Sequence, residues 1–429
     1  MGSENQASDS SALTLFGMSP EKGRWIFVAL GLAINMCLGG TYSWSVFRLP
    51  LQELWSIDAT ASLLPFIFFL AFFAVLMPLA GAPLDKYGPR PLTIIGGIIV
   101  GVGWILASQA PNLTFLTLAY GIIGGAGVGI VYNATIGTSA RWFPDRRGLA
   151  VGLTVLGVGI SPLITAPLGN YLIVNYGVLT SFGILGVAFL ILIVLLGLPL
   201  RFPPPDWRPE GWTPSQASMQ CEDLNRSQMV RTRGFVGLWL GFFIGTLAGL
   251  MAVGISSPVG QEVFKLNAAT AAALVGVFAV FNGIGRPIFG YLVDRIYPRN
   301  AAMLSFAIIA AAAILLGFRA APGATGVYIV GFCALWFCGG AWLAIAPACT
   351  AAFCGTKYYG PNYGLVFTAF GAGAIVGNLL AGQLRDLVGS YVAVFYPVAV
   401  LAIGGIVISF FLIRAPSKAR LEEKGLSPP

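Results

Sequence analysis

The sequence has no histidine, and only 9% of its 429 residues carry a formal charge. The first absence removes the commonest general base, pH switch and metal ligand. The second argues against a soluble fold, because a globular domain carries about 25% charged residues and its surface is not wetted with so few. Cysteine is scarce as well. The six thiols (Cys37, Cys221, Cys333, Cys338, Cys349, Cys354) never form a C-x-x-C pair, and most fall in apolar stretches. They read as small buried residues, with a disulfide framework or a zinc site as the lesser alternative. No Walker motif, metal-ligand cluster or nucleophile–base pair occurs. Neither a cofactor nor a metal is expected, and the chain is not expected to be an enzyme.

What remains is hydrophobic: 57% of the residues are apolar and 13% aromatic. About 20 apolar residues cross a bilayer as a helix, and that ruler marks twelve spans. They include a first at Trp25–Phe47, a fourth at Leu113–Ala140, an eighth at Ala268–Leu292, a tenth at Gly326–Thr350 and an eleventh at Tyr363–Leu384. The chain then divides into a polar tail (1–24), six spans (25–200), a linker (201–233), six more spans (234–413) and a second tail (414–429). The linker carries Pro203, Pro204, Pro205, Pro209 and Pro214, which suit a connector better than a packed domain. The predicted class is an all-α polytopic membrane protein with membrane lipid around it.

Charge placement orients it. With both termini on one side, nearly all of the 24 Lys and Arg fall there; Arg48, Lys265, Arg319 and Arg385 lie opposite, and Arg286 lies inside a span. Basic loops stay in the cytoplasm, so both termini are expected there, with the chain in the plasma membrane. The same bias accounts for the net charge of +8 without nucleic acid.

The halves echo one another. Gly81, Asp85, Gly88 and Arg90 follow the second span, and Gly290, Asp294, Tyr297 and Arg299 follow the eighth, both as G-x-x-x-D-x-x-[G/Y]-P-R. Thr154, Gly157 and Gly159 recur as Thr368, Gly371 and Gly373. Duplicated halves around a midplane site are the architecture of alternating-access carriers. With its loop motif in two copies, the chain resembles the major facilitator superfamily across nearly its whole length. The second copy departs at Tyr297, where that family prefers glycine. The loop Asp and Arg are read either as a gating latch between conformations or as a helix cap with ordinary positive-inside charge.

Arg286 is the sharpest feature, since no Asp or Glu falls inside any of the twelve apolar runs to neutralise it. A cation at that depth costs about 3 kcal/mol on insertion scales and marks a substrate path. It is assigned to a substrate carboxylate; the alternative is a structural Arg tied to backbone carbonyls. Asn282 sits one turn earlier on the same face, either as a second ligand group or as a helix–helix hydrogen bond. Tyr42 and Tyr132 are candidate hydroxyl donors. Trp336, Phe337, Trp342, Phe367 and Phe370 are candidate apolar walls, against the commoner alternative of lipid-facing packing.

Within the superfamily the chain resembles the oxalate/formate antiporters and, more distantly, the monocarboxylate transporters. The carrying residues are Arg286 in Gly-Arg-Pro-Ile-Phe-Gly, Tyr42-Ser-Trp, Gly127-Val-Gly-Ile-Val-Tyr132, and Arg141-Trp-Phe-Pro-Asp145-Arg-Arg-Gly-Leu-Ala150. Oxalate carriers of that family are thought to use a lysine in the eleventh span for a second carboxylate, and Phe370 falls in its place. Two negative charges on one buried cation would leave one unpaired, so the resemblance implies a small monocarboxylate such as lactate, pyruvate or formate. Monocarboxylate transporters place an Asp, often assigned to proton coupling, where this chain has Asn282. Protons therefore remain a candidate second partner, through Glu262 or Asp386, or coupling is anion exchange. A monomer is expected to suffice. The competing functions are an oxalate or dicarboxylate exchanger, a drug exporter, and a non-transporting membrane sensor.

Overall fold

The computed structural model describes residues 14–204, 207–210, 224–355 and 358–414. Twelve helices in it are long and apolar enough to cross a membrane. In order they are Pro20–Trp55, Ala61–Leu79, Pro89–Ala107, Leu113–Trp142, Leu149–Tyr176, Val178–Gly197, Arg233–Glu262, Ala268–Val293, Pro298–Arg319, Thr325–Cys354, Pro361–Val388 and Tyr391–Leu412. The protein is an all-α integral membrane protein, and an even number of spans puts both ends on one face, here called the termini face.

Several helices run past the apolar stretches that mark them in the sequence. The first continues to Trp55, so Arg48 lies inside it and is fully buried. Arg286 is therefore not the one cation within a span. Glu262 and Asp386 likewise belong to the last turns of the seventh and eleventh helices. Apolar composition marks the hydrocarbon crossing, whereas a helix continues until its backbone finds another partner.

Contacts between the halves are made mainly by three helix pairs, second with eleventh, fifth with eighth, and the later part of the first with the seventh, with fewer between that part of the first and the eighth. The seventh is the central one, with 83% of its most apolar window buried. Gly159 and Gly283 set the fifth–eighth crossing. A Cβ on Gly159 would lie 3.1 Å from the Gly283 Cα, so only backbones this bare approach so closely.

The linker is not free of contacts. Phe202 packs against Leu84, Leu92 and Ala134, and Trp207 lies 5.0 Å from Trp142. A short helix, Arg226–Val230, begins at an Asn225 capping box.

The loop motifs differ between copies. Gly88 has φ +81, a conformation in which a side chain is strained, while Tyr297 adopts φ 68 at the matching place despite its side chain. Asp85 is held by Arg141 at the end of the fourth span, within its own half and on an exposed surface. Arg90 is exposed, and Arg299 rests over the Phe410 ring at 5.4 Å. The Asp294 side chain lies outside the described set. Among the described residues, then, these motifs form no latch between the halves.

A better-buried ion pair stands nearby. Arg24, at the start of the first span, grips both oxygens of Asp145 at 2.6 and 2.9 Å and also donates to the Trp142 carbonyl. These hydrogen bonds hold the Asp145 carboxyl below its ordinary range. A carboxyl lowered by folding contributes stability above its unfolded pKa of about 4 and loses it as pH falls through the lowered value. Asp145→Asn should therefore destabilise the chain by about 3 kcal/mol at neutral pH. Thermal unfolding in detergent should show a wild-type advantage that is constant from pH 6 to 8 and shrinks below about pH 4; an advantage independent of pH would contradict this.

Candidate functional site

The eighth helix starts where the Asn267 side chain caps the Thr270 N–H at 2.8 Å, and Pro287 interrupts it one residue beyond Arg286. Proline removes a donor and loosens the helix there. Arg286 is 5% exposed. Its Nη1 donates to the Val155 carbonyl of the other half at 2.5 Å, and its Nη2 donates to Asn282 Oδ1 at 3.1 Å. Nε is buried without a partner. No carboxylate among the described residues reaches this guanidinium, and only two of its five N–H groups are used. The Asn282 amide nitrogen donates to the Trp336 carbonyl at 3.0 Å, so this side chain links the eighth and tenth helices while orienting Arg286.

Tyr42 and Tyr132 lie close enough to feel the Arg286 charge, one from the first span and one from the fourth. Among the described residues neither hydroxyl has a hydrogen-bond partner. Between the halves is a cavity of about 10 Å³, lined by Tyr42, Asn282, Phe370, Thr246, Val253 and Leu343 among others. That is about the space of one water. Tyr42, Asn282 and Thr246 give its wall polar groups, and the remaining side chains are apolar.

The aromatic candidates separate. Phe370 lines the cavity and stacks on Phe367 at 4.9 Å, and both meet Phe73 of the other half edge-on, at 5.8 and 6.0 Å. Trp336 sets its ring against Tyr42 at 6.4 Å and donates its indole N–H to Ser256 Oγ at 2.9 Å. Trp342 is not a cavity wall. It fills the space between Phe242 and Phe306, at 6.3 and 5.1 Å, over the bare backbone of Gly241 and Gly245. Phe337 turns to Phe289 at 5.4 Å and backs the eighth helix. Residues the sequence reading missed include Val155 and the seventh-span group Thr246, Gly249, Leu250 and Val253. The near-complete apolarity of that span, with glycines and no polar stripe, was the available signal that it is central.

Polar contacts between the halves gather at the face opposite the termini. Arg48 donates through Nε to Ser62 Oγ at 3.0 Å and through Nη2 to the Ala59 carbonyl at 2.8 Å, both in its own half. It reaches into the other half through Nη1 to the Gly254 carbonyl at 3.1 Å and through Nη2 to the Tyr391 hydroxyl at 2.9 Å. Asp386, from the eleventh span, accepts from the backbone N–H of Ala59 and Thr60 at 3.0 and 2.9 Å, and from the Thr60 hydroxyl. It caps the start of the second helix across the interface. Glu262 pairs with Arg385 at 2.7 Å beside it. Towards the termini face, Gly152 has open space around its Cα and Gly290 nearly so. The Arg48 and Asp386 bonds tie the halves together at the face opposite the termini.

Twelve spans in two facing sets, meeting at a buried, uncompensated cation, define a membrane transporter. The Major Facilitator Superfamily model matches residues 25–353 and again 261–428, and the chain belongs to that superfamily. It is 31% identical over 362 residues to the oxalate:formate antiporter of Oxalobacter formigenes, covering 84% of this chain and 85% of that one. It is 30% identical over 350 residues to monocarboxylate transporter 13 of Bos taurus, covering 79% and 78%. A bacterial homolog of the lysosomal transporter Spinster, in its inward-facing and occupied conformation, shares the fold with a TM-score of 0.69 at 14% identity, over 96% of this chain and 100% of that one.

Because Asp386 holds three donors of the opposite half, removing its carboxylate should loosen that rim selectively. Asp386→Ala should raise hydrogen–deuterium exchange at 57–63 by at least about 10-fold, the loss expected for charged hydrogen bonds, and leave 89–107 unchanged. Equal exchange in both segments would show that the rim is held by other contacts.

Proposed function

We propose that this chain is a secondary active transporter of small monocarboxylate anions of the lactate, pyruvate or formate kind, working by alternating access in the plasma membrane with both termini cytoplasmic. The observation that carries the reading is Arg286: a guanidinium nine-tenths buried, with an orphaned Nε and no acid among the described residues to balance it. A substrate carboxylate supplies both the charge and the missing acceptors. Two relatives, an oxalate:formate antiporter and a monocarboxylate transporter, support a small carboxylate as the substrate.

The chemistry is positional. A carboxylate taking Nε and one Nη leaves Asn282 and the second Nη to hold the guanidinium plane, and it competes with the Val155 carbonyl for the same donors. Tyr42 and Tyr132 offer hydroxyls to the second oxygen or to a substrate hydroxyl. The apolar side, Leu250, Val253, Leu343 and Phe370, would meet a short carbon chain once the halves part, since the space there now holds about one water. Loading neutralises the buried cation, which lowers the cost of moving the halves around it. With Phe370 at the cavity, a second carboxylate would meet an aromatic ring and no second cation, which disfavours oxalate.

Coupling runs either to protons or to exchange of one anion for another. Asn282 does not titrate. If coupling runs to protons, the candidate carboxyls are Asp386 and Glu262 on the rim, where loss of the Asp386 bonds to Ala59 and Thr60 would favour opening of that face.

Arg286→Gln should lower uptake of labelled lactate or pyruvate into proteoliposomes by at least about 100-fold, the loss of a charged contact worth about 3 kcal/mol. The variant should elute as a single monodisperse species, and Arg286→Lys should keep part of the activity. Uptake by Arg286→Gln near the wild-type rate would overturn the proposal. An imposed pH gradient that accelerates uptake without internal anion assigns proton coupling, and acceleration by internal anion alone assigns exchange.

A further inference from the structure

A second cavity lies away from the proposed substrate site. It is a crevice of about 370 Å³ on the termini face of the second half, lined by Tyr297, Pro298, Arg299, Phe353, Ile413 and Arg414. These residues come from the start of the ninth span and the ends of the tenth and twelfth. Arg299 and Arg414 lie over the same ring, Phe410, at 5.4 and 6.0 Å, and neither has an acidic partner among the described residues. Arg233 adjoins them, because the neighbouring Gly234 backbone packs on the Arg414 carbonyl.

The corresponding end of the first half differs. There Phe202, just past the sixth span, fills the space between Leu84, Leu92 and Ala134, and the Arg141 guanidinium covers its ring at 3.8 Å. At the end of the first half an aromatic side chain of the linker packs beneath a guanidinium, whereas at the end of the second half the described residues leave a crevice with two cations at its mouth. From that mouth a lipid-facing stripe, Phe410, Val407, Ile403, Val400 and Tyr396, runs the length of the twelfth span at helical spacing, every member exposed.

We propose that this crevice binds the headgroup of an anionic phospholipid from the leaflet on the termini face. The phosphate sits between Arg299 and Arg414, and an acyl chain lies along the Phe410–Tyr396 stripe. Three features select this occupant. Guanidinium groups with no acidic partner among the described residues, Arg414 donating only to the Phe410 carbonyl at 3.2 Å, favour a phosphate over a zwitterionic headgroup whose own cation they repel. The crevice opens at the depth where headgroups lie, at the end of a transmembrane helix. The apolar stripe continuous with it matches an acyl chain and gives a water-soluble phosphate nothing.

Native mass spectrometry of the detergent-purified full-length chain, titrated with phosphatidylglycerol or phosphatidylcholine, tests this. Wild type should retain phosphatidylglycerol with a roughly 30-fold preference, the size expected of two basic side chains at a membrane surface. The Arg299→Gln/Arg414→Gln double variant should lose the preference, and Arg299→Lys/Arg414→Lys should keep most of it. Glycerol 3-phosphate at the same concentration should not displace the lipid. Equal retention of both lipids by wild type, an unchanged preference in the double Gln variant, or displacement by glycerol 3-phosphate would each overturn the assignment.

Discussion

A buried positive charge with no counter-ion among the described residues is the constraint on which the centre of this protein depends. Moving Arg286 into the hydrocarbon layer costs about 3 kcal/mol on insertion scales, and the chain offsets part of that with two neutral acceptors, the Val155 carbonyl and Asn282 Oδ1. Both must be brought in from packed helices. The bare crossing at Gly159 and Gly283 lets the fifth helix present its carbonyl, and the Asn282 bond to the tenth helix fixes the second acceptor. What is not offset is the net charge. The arrangement satisfies the guanidinium only in part, which is the condition under which an incoming carboxylate has the most to contribute.

The second buried cation shows the opposite solution. Arg48 has four acceptors and is fully buried. Two of the four belong to the other half, so its satisfaction holds only while that face is closed. Together with Asp386 it makes closure a polar event at one face, whereas the aromatic belt of Phe73, Phe367 and Phe370 joins the halves midway by apolar contact. Polar bonds are directional and are lost over a small displacement, while ring contacts slide. A rim of the first kind over a belt of the second suits a pair of bundles that rock.

Composition and periodicity carried the twelve spans, the doubling of the halves and Arg286, because charge depletion makes each exception conspicuous. They failed where the question was direction. Arg48 read as a loop residue since the apolar run ends at Phe47, although the helix continues to Trp55. Trp342 and Trp336 lie in one uniformly apolar helix, and no stripe tells that Trp336 meets Tyr42 of the other half while Trp342 fills the interior of its own. Gly249 and Gly339, which border the cavity, carry no side-chain signal at all. The loop motif misled in another way: its residues recur faithfully, yet Asp85 bonds Arg141 in its own half, and the cross-interface acid is Asp386, which belongs to no repeated motif.

The central claim is that one buried cation takes one carboxylate. Its most direct measurement is the affinity of the purified wild-type chain for singly and doubly charged acids of similar size, lactate or pyruvate against oxalate, by titration calorimetry at neutral pH. A single unpaired charge at Arg286 predicts saturable binding of the monoanion at one site per chain, with oxalate weaker by at least about 10-fold, or about 1.4 kcal/mol. Oxalate binding as tightly as the monoanions would contradict the account and require a second cation at the site.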